Sequence, residues 1–496
     1  MKKILFTSLV SLFALSASAV DLAAGYNTWS KIEGLKDNNN VSVVIPNASA
    51  GLFIDVDGKT ISSATISSVS QNYFQVATGY TATINNLVLA GGTTNTTNNS
   101  IKIGTSTEAN KKNFLGTLII NMGTATTYYG FEVNSGVLKL LESGQTLSNR
   151  AFTVNSNAEI HMLDRNNGTS YHTYNNGGTI TANGGKFYAG RVVAPNVVIK
   201  NGGLVSASNA IRLLSTASAS TIDGQLIVAG YDNGSGTYTA EDGITYRTRH
   251  FSFRVGNGTN ASADADAKVV LNIGENGSIV QTCSNSSMIN DFLGQVNVNS
   301  AENSLKFQSN IVLAGKGKLT LNSTNAFATI NASKEIIANQ ANTTFYISRH
   351  YNDSGVKNGT YSSDSDLVIN ADNDLGALAF GSNTKLTLSI ADDAVFTLGE
   401  ITTQSGSNGE FTFILDNWHD NSFRIVDMAL ADLEKISFYE EVVDGETVSH
   451  SKLDVKFVET SLGSGDYWVN AVPEPAEWAM IFGAVALGFV AYRRRK

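Results

Sequence analysis

Short β-favouring runs alternate with turn-forming clusters along most of this chain. From about Gly51 to about Glu400, runs of about three to seven residues are broken by Gly, Asn, Asp and Ser. Leu52 to Val56 before Asp57-Gly58, and Leu118 to Ile120 before Asn121, are examples. Three runs start directly after an N-G-G triplet: Asn176-Gly177-Gly178, Asn183-Gly184-Gly185 and Asn201-Gly202-Gly203. Asn and Gly accept a left-handed backbone at low steric cost, so each triplet is suited to turning a corner between flat faces. Runs around Leu204, Leu226 to Val228, Val269 to Ile273, Val296 to Val298 and Leu319 to Leu321 include steps of roughly 22 to 25 residues, a solenoid period. The period drifts, as loop insertions make it do. The pattern predicts an all-β, right-handed parallel β-helix in which each coil buries its inward residues and satisfies its neighbours' backbone groups. The alternative is a set of tandem β-sandwiches, which require hairpin turns at roughly 8- to 12-residue intervals.

The flanks of this body, residues 51–409, read differently. In residues 20–50, Trp29, Ile32, Leu35 and Val41 to Ile45 suit an N-terminal cap over the first exposed edge. Residues 410–472 carry aromatic-rich strands: Phe411 to Leu415, Phe423 to Val426, Ile436 to Tyr439, Leu453 to Val458 and Tyr467 to Val469. Asp444-Gly445 signals a hairpin, and Leu430 to Lys435 a short helical turn. This segment is expected to cap the last coil. Its aromatics are expected to fill the core, in preference to forming a glycan platform from Trp418, Tyr439, Tyr467 and Trp468.

The two termini carry targeting patterns. Lys2 and Lys3, the apolar run Ile4 to Leu15 and the small-residue pattern Ala17-Ser18-Ala19 predict a signal peptide over residues 1–19, cleaved after Ala19. At the other end, Pro473-Glu474-Pro475 precedes an apolar run from Trp478 to Tyr492 and the cations Arg493, Arg494, Arg495 and Lys496. As a helix that run spans about 22 Å, short of the roughly 30 Å hydrocarbon core, so it crosses with snorkelling flanks or a thinned bilayer. Trp478 and Tyr492 bracket it where aromatic rings prefer the interface, and Phe482, Leu487 and Phe489 lie within it. The cations set a cytoplasmic orientation for the run's C-terminal side.

This three-part segment, residues 473–496, resembles the PEP-CTERM sorting signal of bacterial surface proteins. The resemblance implies an exosortase-like membrane protease as partner, with Pro473, Glu474 and Pro475 recognised. It also implies a transient inner-membrane anchor, followed by release to the cell surface or extracellular matrix. More loosely, the body is similar in composition to autotransporter passenger domains.

Composition narrows the function. The formal net charge is −9, and without the two positive terminal segments, about +2 each, Val20 to Val472 carries about −13. Such a surface repels phosphate backbones, so nucleic acid is not an expected partner. The single cysteine, Cys283, excludes an internal disulfide, and its strand-like setting reads as a buried small hydrophobe. His161, His172, His250, His350, His419 and His450 show no metal-ligand spacing.

Three patterns invite chemistry, and each has a plainer reading. Asp364, Asp366, Asp372 and Asp374 offer oxygen ligands for Ca²⁺, but the twelfth residue from Asp372 is Asn383 where an EF-hand needs Glu, so solvated turn carboxylates are expected. Asp164 with Arg165, Arg247 with Arg249, and Asp392 with Asp393 are the compact groups suited to polysaccharide cleavage; surface charge is the expected reading. Sequons such as Asn257-Gly258-Thr259 follow from the composition, and Thr81-Ala82-Thr83 starts no regular threonine array for ice binding. The chain is thus expected to be a non-enzymatic structural or adhesive surface protein without a cofactor. The competing reading is an extracellular carbohydrate-binding or polysaccharide-cleaving β-helix on the same tail. Carboxylates with Arg or Lys on consecutive coils would mark it.

Overall fold

The computed structural model describes residues 19–46, 50–67, 72–89, 100–122, 130–142, 151–164, 173–175, 178–228, 237–239, 245–247, 252–256, 263–281, 289–308, 311–330, 336–338, 345–348, 363–381, 384–403, 411–444, 447–472, 484, 485 and 487. The chain divides into two compact units: residues 1–145 with 157–160, and residues 146–156 with 161–496. Each is built almost wholly from β-strands in large parallel sheets.

In the first unit, one parallel ladder runs through Gly25–Thr28, Ala50–Ile54, Asn72–Val76, Ser100–Ile103 and Gly130–Val133. A second begins with Val20–Asp21 on Val41–Ile45 and continues through Lys59–Ile66, Thr81–Ile84, Thr117–Asn121 and Gly136–Glu142. Leu52, Ile54, Ile101, Ile103, Leu118 and Ile120 point inward and are buried, alternating with partly exposed outward residues such as Phe53, Lys102 and Ile119. Trp29, in the 3₁₀ turn Trp29–Lys31, is fully buried with Leu22 and Leu35, and Lys59 Nζ lies 5.9 Å from its ring centroid. On the outer surface the threonine column Thr60, Thr83 gives way to Ile119 and then Lys139.

In the second unit each turn of chain lays strands into three ladders. The first passes through Val270–Ile273, Gln295–Val298, Lys318–Leu321, Ser363–Ile369, Thr384–Ile390, Phe411–Asn417 and Ile436–Asp444, all parallel. Its inner columns, Leu271-Val296-Leu319-Leu367-Leu388-Leu415 and Ile273-Val298-Leu321-Ile369-Ile390, are buried. Higher up, phenylalanines take over. Phe413 and Phe438 stack at 5.7 Å, and Phe396 and Phe423 at 5.5 Å. This is the core filling expected of the aromatic segment.

Of the strands whose spacing suggested a solenoid, Val270–Ile273, Gln295–Val298 and Lys318–Leu321 do stack directly. Leu204–Leu213 and Gln225–Val228 belong to a different ladder, and Gln225–Val228 pairs upward with Ser278–Gln281. Asparagines stack outside the core: Asn297 Nδ2 donates to Asn272 Oδ1 (2.9 Å) across 25 residues, and Asn370 Nδ2 to Asn322 Oδ1 (2.6 Å) across 48. The doubling marks extra chain that includes Ile336–Ala338, which folds back antiparallel on Phe327–Ile330, itself stacked in parallel on Leu305–Phe307.

The N-G-G triplets turn corners as expected where they are described. Gly184 and Gly202 both have φ +78°. The glycine after each lies against the preceding turn: a β-carbon on Gly185 would meet Asn155 O at 2.3 Å, and one on Gly203 would meet Ala182 O at 2.4 Å. Asn176 and Gly177 lie outside the described residues.

The sandwich alternative is corrected by the pairing. Antiparallel pairs among the described residues are local hairpins and the final strands, not a recurring 8- to 12-residue theme, because each run finds its partner a full turn of chain away. The final strands include the hairpin closing between Asp444 and Thr447, and Val455–Glu459 with Tyr467–Ala471. Leu430–Leu433 forms the expected helical turn. No described helix is long and apolar enough to cross a membrane. Of the apolar run assigned that role, Leu487 is described, helical and exposed, while Trp478, Phe482, Phe489 and Tyr492 lie outside the described residues. So do Pro473, Glu474, Pro475, Arg493, Arg494, Arg495, Lys496, Ala17 and Cys283; Ala19 is exposed just before Val20–Asp21.

Candidate functional site

The ladders of the second unit bring three sets of charged residues into register. In the first, Arg212, Arg254 and Asp291 follow one another on adjacent strands, Leu204–Leu213, Ser252–Val255 and Ile289–Phe292. Cations and a carboxylate on successive strands were the sequence mark of a carbohydrate-active site. Arg254 Nε donates to Asp291 Oδ2 at 3.0 Å, and Nη2 lies 3.0 Å from the same oxygen. Arg254 is 1% exposed and Asp291 0%. A carboxylate held this way and cut off from solvent does not exchange protons with a polymer outside, so the pair reads as a structural clamp.

The second set lies on the ladder through Ser363–Ile369. Lys318 faces Asp366, which faces Thr387, and Asp364 faces Lys385. The four aspartates weighed as calcium ligands are thereby divided. Asp364 and Asp366 stand on this ladder, Asp374 stands on the neighbouring one, and Asp372 Oδ1 accepts the Val395 N–H at 2.8 Å. Among the described residues no three His, Cys, Asp or Glu converge as a metal site.

Burial pushes the Asp366 carboxyl above the ordinary carboxylate range. Lys318 and a hydrogen bond from Thr387 pull it back, while Asp416 and Asp364 add to the rise. A raised carboxyl holds its proton more tightly folded than unfolded. Its contribution is therefore fully present below the unfolded value, about 3.9, and is lost as pH rises through the folded one. Asp366→Asn should raise the unfolding free energy at pH 7, by no more than about 0.5 kcal/mol in a solvent-screened position and read as a higher urea midpoint, and leave it unchanged at pH 3. A lower midpoint at pH 7 would show that Lys318 dominates.

The third set crosses a five-stranded sheet made by Asn373–Leu375, Phe396–Leu398, Phe423–Ile425, Tyr467–Ala471 and Val455–Glu459. Asp374, Thr397, Arg424, Trp468 and Val458 are directly opposite one another in that order. Their neighbours Phe396, Phe423 and Val469 are buried, which puts the row on the outer face. The Arg424 guanidinium carbon lies 5.8 Å from the Trp468 ring centroid. Of the four aromatics considered for a glycan platform, Trp468 alone joins this row. Tyr467 points to the opposite side of its strand, Tyr439 faces Lys452 across the terminal hairpin, and half-buried Trp418 follows Phe411–Asn417.

The compact pairs suggested for polysaccharide cleavage do not assemble within the described residues. Asp392 and Asp393 sit exposed in the turn after Thr384–Ile390. Arg165 and Arg249 lie outside the described residues, as do the side chains of Asp164 and Arg247. His161 stacks on Tyr188 at 4.7 Å, and His419 Nδ1 lies 3.0 Å from Asp420 O. Sequence reasoning missed both Arg254–Asp291 and Arg424–Trp468, because each pairs residues whose register depends on intervening insertions. A scan against protein-family models and searches of curated proteins and of solved structures found no match.

Proposed function

We propose that this chain is an exported structural or adhesive protein of the cell surface or extracellular matrix, its body a right-handed parallel β-helix displayed through a PEP-CTERM tail. The observation that carries the reading is the run of buried aliphatic columns, in parallel register over successive turns, topped by stacked phenylalanines. Such a scaffold is held by its own core and backbone ladder, and it offers long outer faces for contact. Residues 1–19 direct export. Pro473, Glu474 and Pro475 are the recognition element for an exosortase-like membrane protease, the apolar run from Trp478 to Tyr492 holds the substrate in the bilayer, and Arg493 to Lys496 orient it. The role proposed is non-enzymatic, with no cofactor and no nucleic-acid partner.

The test is a triple substitution, Pro473→Ala with Glu474→Ala and Pro475→Ala, expressed in the native host. The product should remain full-sized and in the membrane fraction, while the parent chain appears shortened at the surface or in the matrix. Normal maturation of the triple variant would overturn the sorting role. A second reading, glycan binding by the body, is favoured by the Arg424–Trp468 row.

A further inference from the structure

The row Asp374, Thr397, Arg424, Trp468, Val458 has the chemistry of a sugar site. Strands in a sheet lie about 4.8 Å apart, so Asp374 and Trp468, three steps apart, span about 14 Å. Next to the row stand Gly376 and Gly399, adjacent across the ladder, with the Gly399 N–H donating to Gly376 O at 3.0 Å. No side chain therefore rises beside Asp374 and Thr397 there.

Arg424 is the informative residue. Its Nε is buried and has no hydrogen-bond partner, and its guanidinium lies over the half-exposed indole of Trp468. A guanidinium held by an aromatic ring is preorganised to bind a planar two-oxygen acceptor through two parallel hydrogen bonds from its Nη1 and Nη2 ends. Trp468 and Val458, which is 39% exposed, add apolar surface of the kind that the C–H face of a sugar ring covers. Exposed Asp374 supplies acceptors for ring hydroxyls.

We infer that this outer face binds a uronate-bearing polysaccharide, held locally against the body's net negative charge, with the sugar carboxylate on Arg424, a ring face against Trp468 and Val458, and ring hydroxyls at Asp374. The inference names a ligand for the adhesive role proposed above. It does not depend on the sorting tail, which the processing assay tests separately.

The full chain, purified in mild detergent, should be retarded in native gels containing polygalacturonate and should run freely in gels containing dextran. Arg424→Lys keeps the charge but loses the two-pronged geometry; it should weaken retardation at least tenfold with an unchanged melting temperature. Trp468→Leu should weaken it similarly. Free galacturonate should compete where galactose does not. The inference is overturned if polygalacturonate leaves the parent chain unretarded, or if Arg424→Lys binds like the parent. Equal retardation by dextran sulfate would likewise overturn it, because general attraction to polyanions would then suffice.

Discussion

Replacing Asp291 by alanine should destabilise the second unit by about 3–5 kcal/mol, the cost of breaking a buried ion pair by removing one of its members. Asp291 and Arg254 sit opposite each other on parallel strands, both buried, with Nε and Nη2 each 3.0 Å from one carboxylate oxygen. Removing Asp291 leaves the guanidinium where water does not reach it. The pair itself adds little net stability, because desolvating two charges offsets most of their attraction. Arg254→Met combined with Asp291→Leu should therefore recover most of the loss. Urea unfolding followed by far-UV circular dichroism compares the parent, Asp291→Ala and the double variant. A single variant within 1 kcal/mol of the parent would mean that Arg254 swings out to solvent and that the clamp does not restrain the strands.

That pair also shows where the sequence stops being readable. Arg254 and Asp291 are 37 residues apart, beyond the 25-residue step of Asn272 and Asn297 on a neighbouring ladder. A column one strand spacing wide is thus spread over an irregular stretch of sequence, and no fixed period places the two residues together. The same holds for Arg424 and Trp468, which meet only because Tyr467–Ala471 returns antiparallel to Phe423–Ile425. What could be read was whatever depends on neighbouring residues. Short β-favouring runs, turn clusters and aromatic strands near the C-terminus identify strands and their ends. The N-G-G corners were legible for the same reason, since a left-handed residue and a missing side chain are local demands. Parallel stacking itself was visible only through the drifting period. That period joined Val270–Ile273 correctly to Gln295–Val298 and Lys318–Leu321, and set Gln225–Val228 in the wrong series, because strands of different faces recur at similar spacing.

The two glycines of Asn201-Gly202-Gly203 do different work, and their substitution should separate the two. Gly202 has φ +78°, and the nearest atom to an added β-carbon is the Gly184 Cα at 3.9 Å, so Gly202→Ala meets backbone strain alone, about 1–2 kcal/mol. Gly203 has room on no side. Its β-carbon would lie 2.4 Å from Ala182 O and 2.9 Å from Lys200 O, both backbone atoms that cannot turn aside as a side chain does. The Lys200 carbonyl also accepts the Gly203 N–H at 2.8 Å, so moving away breaks the corner. Gly203→Ala should therefore cost about 3 kcal/mol, at the upper end of the overpacking range, with the loss concentrated where Lys186–Ala194 pairs with Leu204–Leu213. Thermal melting gives the order of the two variants, and amide hydrogen exchange locates the damage in Leu204–Leu213. Should Gly202→Ala prove the more harmful, the corner would be limited by its left-handed residue, and the close approach of successive turns at Gly203 would be relieved by a small shift of the strand.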